Sequence, residues 1–361
     1  MTKQFTTIAA VALTFGCLLP RADAAKPTDG LDKKGSPGLK SAGSLAFGPD
    51  GILFVGDSTA ATVFAIDTGD TSSSAAKASV NVKALDRKIA ALLGTTAAEL
   101  LINDVAVNPL TGRVFVSVAR GRGPDAAALI LSVDSDGTIK ELSLKSVRYA
   151  EAKLPNPGNT TRRGGPITDL SFIQGRVLVA GLSNEEFASN LRSIPFPFRK
   201  VSGGSSIEIF HGAHGRFETR APIRTFTHYS IGDEVHLLAA YTCTPLVKIP
   251  VKSLLSENKA RGTPVADLGN RNRPLDIVVY KKNDRDYLLI ANSARGVMKV
   301  STDNIADIEP ITTKISGTSG LTYETIESLE GVVQLDKLDD AHALLLVDSK
   351  SGFNLRTIEF P

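Results

Sequence analysis

The chain has 361 residues, 42% hydrophobic, 22% charged and 6% aromatic, with a net charge of +3 and no tryptophan. An average apolar content and a mean hydropathy near zero exclude a disordered chain and a multi-span membrane protein. The balance of 41 basic against 38 acidic residues excludes the concentrated positive field of a nucleic-acid binder, and two cysteines cannot frame a disulfide scaffold.

Residues 1–24 read as a secretory leader: Lys3, the apolar run Ile8–Leu19, then Ala22-Asp23-Ala24 as a small-x-small cleavage site. Cleavage near Ala24 predicts a periplasmic or secreted protein that keeps one cysteine, Cys243. No second apolar run reaches the ~20 residues of a membrane span. Residues 25–43 form a linker rich in Gly, Pro and Lys that doubles as a candidate ring-closing strand over Leu31–Ser41.

From Ser44 to Pro361 one pattern recurs: a short apolar strand, a turn, a very apolar strand, a turn, then alternating strands. The first copy is Ser44–Asp57, with Gly48-Pro49-Asp50-Gly51 as its turn. The second opens at Asn103, and later copies start near Thr168, Thr225, Leu275 and Glu330. Starts about 50–65 residues apart are somewhat longer than four-stranded propeller units. Such a unit buries its faces only against its neighbours. The pattern predicts an all-β fold, a six-bladed β-propeller of residues 44–361 with short helical insertions on one face, expected as a monomer. A seven-bladed ring and a pair of β-sandwiches are the competing arrangements. The last unit has three strands before Pro361, so Leu31–Ser41 is expected to supply its fourth.

Three segments interrupt the repeats on the face where innermost strands begin. Residues 84–101 carry a helical period over Asp86–Leu93, with Thr96 as a cap for a second turn. Residues 145–166 are rich in Pro, Gly, Asn and Arg. Residues 182–204 predict a short helix over Asn184–Arg192 followed by Ile194–Phe198. Loops on a rigid scaffold concentrate function. Arg120, Arg192, Arg273 and Arg295, with Arg162 and Arg163, place guanidinium groups there, which suit a small anionic molecule or the acidic surface of another exported protein. Ion pairing with Glu185 and Glu186 is the structural alternative. Phe196 and Phe198 are either partner anchors or a private loop core.

Asn103, Asp104, Asp169, Asp276 and Glu330 stand where innermost strands begin. They would ring the channel mouth as oxygen ligands for a divalent cation such as Ca²⁺. Asp at a strand entrance equally binds neighbouring amides and shapes the turn. Cys243, between Thr242 and Thr244, falls on the elaborated face and counts with Arg120, Arg192, Phe196, Phe198, Arg273 and Arg295 as a candidate ligand- or partner-binding residue. His211 and His214 fall in a hairpin turn assigned to the opposite face, as do His236 and His342. A Cys/His nucleophile or zinc site is therefore not expected; a packed thiol and a solvated turn are.

Asn103-Asp104-Val105-Ala106-Val107-Asn108-Pro109-Leu110-Thr111-Gly112-Arg113 resembles a segment of the gluconolactonase / senescence-marker-protein propellers, and Ser44–Val55 resembles NHL repeats. The resemblance implies a six-bladed propeller that holds a divalent metal through a Glu, two Asn and an Asp, and hydrolyses lactones. Carried over by position, only Asn103 is kept; Ser44, Thr168 and Leu275 stand at the other three. The expected function is a non-enzymatic exported propeller that binds a ligand or partner on its elaborated face. The alternative is a metal-assisted, lactonase-like hydrolase at the channel mouth.

Overall fold

The computed structural model describes residues 30–72, 79–160, 164–256 and 259–361; the expected leader, Arg162 and Arg163 lie outside them. Within this span the chain forms a six-bladed β-propeller. Each second strand is the most apolar because both of its faces pack against neighbouring blades. Val114–Val118, Leu288–Ala291 and Ala343–Val347 are almost wholly buried.

Blade one is built from Leu45–Phe47, Ile52–Asp57, Thr62–Asp67 and Val147–Lys153, with Lys33–Gly35 on its outer edge. Blade two is Leu100–Val107, Val114–Arg120, Ala127–Val133 and Ile139–Glu141. Blade three is Asp169–Ile173, Arg176–Leu182, Ser189–Pro195 and Ser205–His211, extended by Arg216–Glu218. Blade four is Ile223–Ile231, Glu234–Tyr241, Cys243–Pro250 and Lys259–Asn272. Blade five is Pro274–Lys282, Arg285–Asn292, Gly296–Ser301 and Tyr323–Thr325, and blade six is Val332–Lys337, His342–Ser349 and Gly352–Glu359.

The blades do not follow chain order around the ring. Innermost strands of blades one and three touch, as do those of six and two. The apolar seam clusters agree: one joins blades one and three through Phe54 and Val179, another joins two and six through Val116 and Leu344. The circular order is one, three, four, five, six, two. The chain leaves blade one at Asp67, passes the edge of blade six, builds blade two, and returns to lay Val147–Lys153 on blade one.

That passage closes the ring. Val82 donates its N–H to Leu355 O at 3.0 Å, and Leu355 donates to Val82 O at 2.9 Å. Leu31–Ser41 does not close blade six: Lys33–Gly35 pairs with Val147–Tyr149 in blade one. Ser79-Val80-Asn81-Val82 alternates and buries both valines, whereas Gly35, Pro37 and Gly38 punctuate the expected segment.

Two of the three expected loops contain strands. Residues 145–166 hold the outer strand of blade one, and 182–204 hold the third strand of blade three, Ser189–Pro195, where a helix is expected at Asn184–Arg192. This strand is buried on both faces, with Leu191 toward blade four and Ile194 toward blade one. Its polar residues hide the two-residue period that would mark it. The insertion at 84–101 is as expected, with an α-helix over Leu85–Leu92 and a 3₁₀ turn over Ala97–Glu99.

Candidate metal centre

Two places gather chemistry, and they differ in how their polar atoms are used. The first is the central channel, a cavity of about 900 Å³ lined by Asp104, Asp169, Asp276, Arg224, His228 and Lys337 among others. Four of the six innermost strands have an irregular register near their entrance, between Ile102 and Asp104, Ile223 and Thr225, Pro274 and Asp276, and Val332 and Gln334. Such bulges re-aim the side chains beside them.

Asp104 accepts Leu45 N–H of blade one at 2.7 Å and Val105 N–H at 2.8 Å. Asp169 accepts Phe226 N–H of blade four and Leu170 N–H, both at 2.8 Å. Asp276 accepts Leu335 N–H of blade six at 2.7 Å and Ile277 N–H at 2.8 Å. Asp336, which sequence reasoning missed, accepts Val107 N–H of blade two and Lys337 N–H, both at 2.6 Å. Each carboxylate uses one oxygen on its own strand and the other on the next blade. These are staples between blades.

Burial raises the pKa of all three expected acids. Asp169 is pushed up to about 6, while Asp104 and Asp276 are raised well above the usual carboxylate range by burial and by neighbouring carboxylates. Glu330 is exposed and does not line the cavity. Asn103 donates Nδ2 to Ala42 O at 2.7 Å.

The residues expected to face a ligand are placed in different ways. Arg192 is fully buried; its Nη2 donates to Pro155 O at 3.1 Å, and burial lowers its pKa to about 10. Phe196 and Phe198 pack on Phe54 with ring centroids 5.1 and 6.1 Å away, so they belong to the core between blades one and three. Arg120 donates to Leu93 O, and Arg295 donates to Asn270 O. Arg273 is exposed.

The second place lies on the outer rim, at the joint of blades three and four. Three antiparallel steps separate the innermost strand of blade three from Ser205–His211, so this fourth strand ends on the mouth face. The turn after it carries His211 and His214. Cys243 opens the third strand of blade four and therefore lies on the same face. The structure corrects the expectation of opposite faces. With Ser189–Pro195 read as helix, Ser205–His211 becomes a third strand instead of a fourth, and its end moves across the ring.

One ligand atom from each of His211, His214 and Cys243 lies within 4.8 Å of the others. His211 Nδ1 is 2.7 Å from Glu218 Oε2 and His214 Nδ1 is 2.6 Å from Glu218 Oε1. A carboxylate on Nδ1 places the proton there and leaves Nε2 with its lone pair, the state in which imidazole ligates. His211 Nε2 is buried and meets no partner among the described residues. Burial works to raise Glu218, but the bonds from the two histidines outweigh it and hold its pKa below the usual value. Cys243 is held at φ 94°, a region that favours glycine. Two imidazoles and a thiol make a donor set suited to a first-row transition ion rather than Ca²⁺ or Mg²⁺.

No family model and no curated protein matches the chain. It is similar to the solved structure of PQQ-bound aldose sugar dehydrogenase from Streptomyces coelicolor, with 12% identity, a TM-score of 0.32, and coverage of 90% of this chain and 97% of that one. It is also similar to a putative oxidoreductase (glucose dehydrogenase) from Thermus thermophilus, with 11% identity, a TM-score of 0.30, and coverage of 90% and 99%. The expectation of a binding scaffold that engages its ligand or partner through these side chains is corrected here: Arg192, Phe196 and Phe198 are packed inside or between blades. Among the described residues no helix is long and apolar enough to cross a membrane.

Proposed function

We propose that this protein is an exported metalloprotein whose working centre is the rim cluster of His211, His214 and Cys243. The observation that carries this reading is the meeting of three ligand atoms from two blades within 4.8 Å, with both histidines turned by Glu218. Zinc and copper are the ions whose preferences match this donor set. Zinc would tie the two blades together, and copper would bring one-electron chemistry. The export reading is supported by the leader over residues 1–24.

Metal analysis of the protein, purified without chelator, is expected to find one zinc or copper ion per chain. Chelation is expected to lower its melting temperature, and Cys243→Ser to cut metal content. Protein that carries no transition metal, and takes up none when Zn²⁺ or Cu²⁺ is added, would sink this reading.

A further inference from the structure

Asp267 stands beside this cluster. Its strand, Lys259–Asn272, pairs with Cys243–Pro250 so that Asp267 lies opposite Pro245, two residues beyond Cys243. From the other side, Asp267 Oδ2 lies against Gly212, the glycine between the two histidines in chain order. A Cβ at position 212 would stand 2.6 Å from that oxygen, so a bare Cα is what admits the carboxylate.

The carboxylate is 2% exposed, and neither oxygen makes a hydrogen bond of good geometry among the described residues. Burial raises its pKa, although Thr244, the Gly269 amide and the two histidines pull the other way. His211, also 2% exposed, presents an unpartnered Nε2 in the same region. Buried polar groups normally find partners, and a buried carboxylate without one is costly. Both unpartnered groups lie near the blade-four strand that Cys243 opens.

We infer that Asp267 is the fourth ligand of the ion, and that loading closes a clasp between blades three and four. This rests on the metal reading above. The thiolate and the carboxylate offset the two charges of a divalent ion, and both imidazoles ligate as neutral groups. The loaded centre is therefore neutral, which suits a site whose inner half, His211 and Asp267, is buried. Asp267 is not among the atoms within 4.8 Å of each other. Ligation turns its side chain inward, and no well-formed hydrogen bond has to break.

The histidines belong to blade three, whereas Cys243 and Asp267 belong to blade four. Their outer strands already run side by side, Ser206–Ile209 parallel to Lys259–Gly262. The ion ties this joint at its mouth end. Four protein ligands make a closed site of the kind zinc takes in structural centres.

Titration of the full-length apoprotein with Co²⁺ alone tests both levels. The wild type is expected to show a thiolate charge-transfer band and the intense visible bands of a four-coordinate ion, unchanged by added azide. Asp267→Asn is expected to keep the thiolate band, bind Co²⁺ about tenfold more weakly, and change its visible spectrum when azide enters the vacated position. Zn²⁺ is expected to raise the melting temperature of the wild type by more than that of the variant.

A wild-type spectrum that responds to azide, or an Asp267→Asn protein that binds Co²⁺ as tightly as the wild type, would overturn the fourth-ligand assignment and leave the metal reading standing. No thiolate band in the wild type would overturn both. Apo Asp267→Asn is expected to melt no lower than the apo wild type, because it loses an uncompensated buried charge. If it does not fold, Asp267→Ser carries the same test with the same outcomes.

Discussion

The channel mouth and the rim centre both gather acidic and polar side chains on one face, yet they carry opposite signatures. At the mouth, Asp104, Asp169, Asp276 and Asp336 each bond an amide of their own strand and an amide of the neighbouring blade. At the rim, His211 Nε2 and both oxygens of Asp267 are buried and lack hydrogen-bond partners among the described residues. A satisfied buried carboxylate is part of the scaffold, whereas an unsatisfied one near two imidazoles and a thiol fits the proposed role of a ligand. The kind of residue does not separate the two places; the accounting of hydrogen bonds does.

The comparison breaks most readily at the staples. Asp276→Ala is expected to leave two amides unpaired and cost about 3 kcal/mol, whereas Glu330→Ala, from the same set of strand-entrance acids, should stay within about 0.5 kcal/mol. Urea denaturation of the two variants checks this, and equal effects would refute the staple role. At the rim, Glu218→Gln is expected to lower Co²⁺ affinity by about 10–100-fold, with a smaller fall in the urea midpoint of the apoprotein. Unchanged affinity would show that Glu218 does not orient the histidines.

The staples also predict a slope with pH. The folded pKa of Asp169 lies near 6, above the usual value of 3.8, so between these values the native state holds a proton that the unfolded chain has released. Stability from this group is present below about pH 4 and is lost as pH rises toward 6. Asp104 and Asp276 act in the same direction. Glu218, whose pKa is lowered, acts in the opposite sense, giving stability that disappears as pH falls through its folded value. Asp169→Asn is expected to flatten the decline between pH 4 and 6 in urea midpoints. A variant with the wild-type slope would contradict the assignment.

The smallest effect is expected at Arg192, whose Nε and Nη1 are buried without partners among the described residues. Arg192→Met keeps the aliphatic stem and removes a poorly paired charge. It is expected to unfold at the same urea concentration as the wild type or slightly above it. A loss of several kcal/mol would mean that the guanidinium has a partner at this seam and would narrow the contrast between satisfied and unsatisfied sites.

Much of the fold is legible in the residues. Repeated short strands with apolar second members, and turns such as Gly48-Pro49-Asp50-Gly51, are enough to read six blades. What hides Ser189–Pro195 is burial on both faces, which permits Asn190 and Arg192 to interrupt the alternation. That single strand changes the parity of every later element in blade three. As a result the two histidines and Cys243 read as residues of opposite faces. The signal that could have joined them is local: two histidines three residues apart, with Glu218 four residues past the second. Asp267 has no such signal, because its place beside Gly212 depends on how two neighbouring blades meet.

Composition and periodicity by themselves determined an all-β repeat architecture with an apolar strand at the heart of each blade, because side-chain alternation and turn chemistry act over a few residues. Tertiary structure alone decided the circular order of the blades, the closure of the ring through Val82 and Leu355, the meeting of His211, His214 and Cys243, and the place of Asp267 beside Gly212. These depend on contacts between residues far apart in the chain. There, one strand more or less decides which face of the ring a side chain reaches.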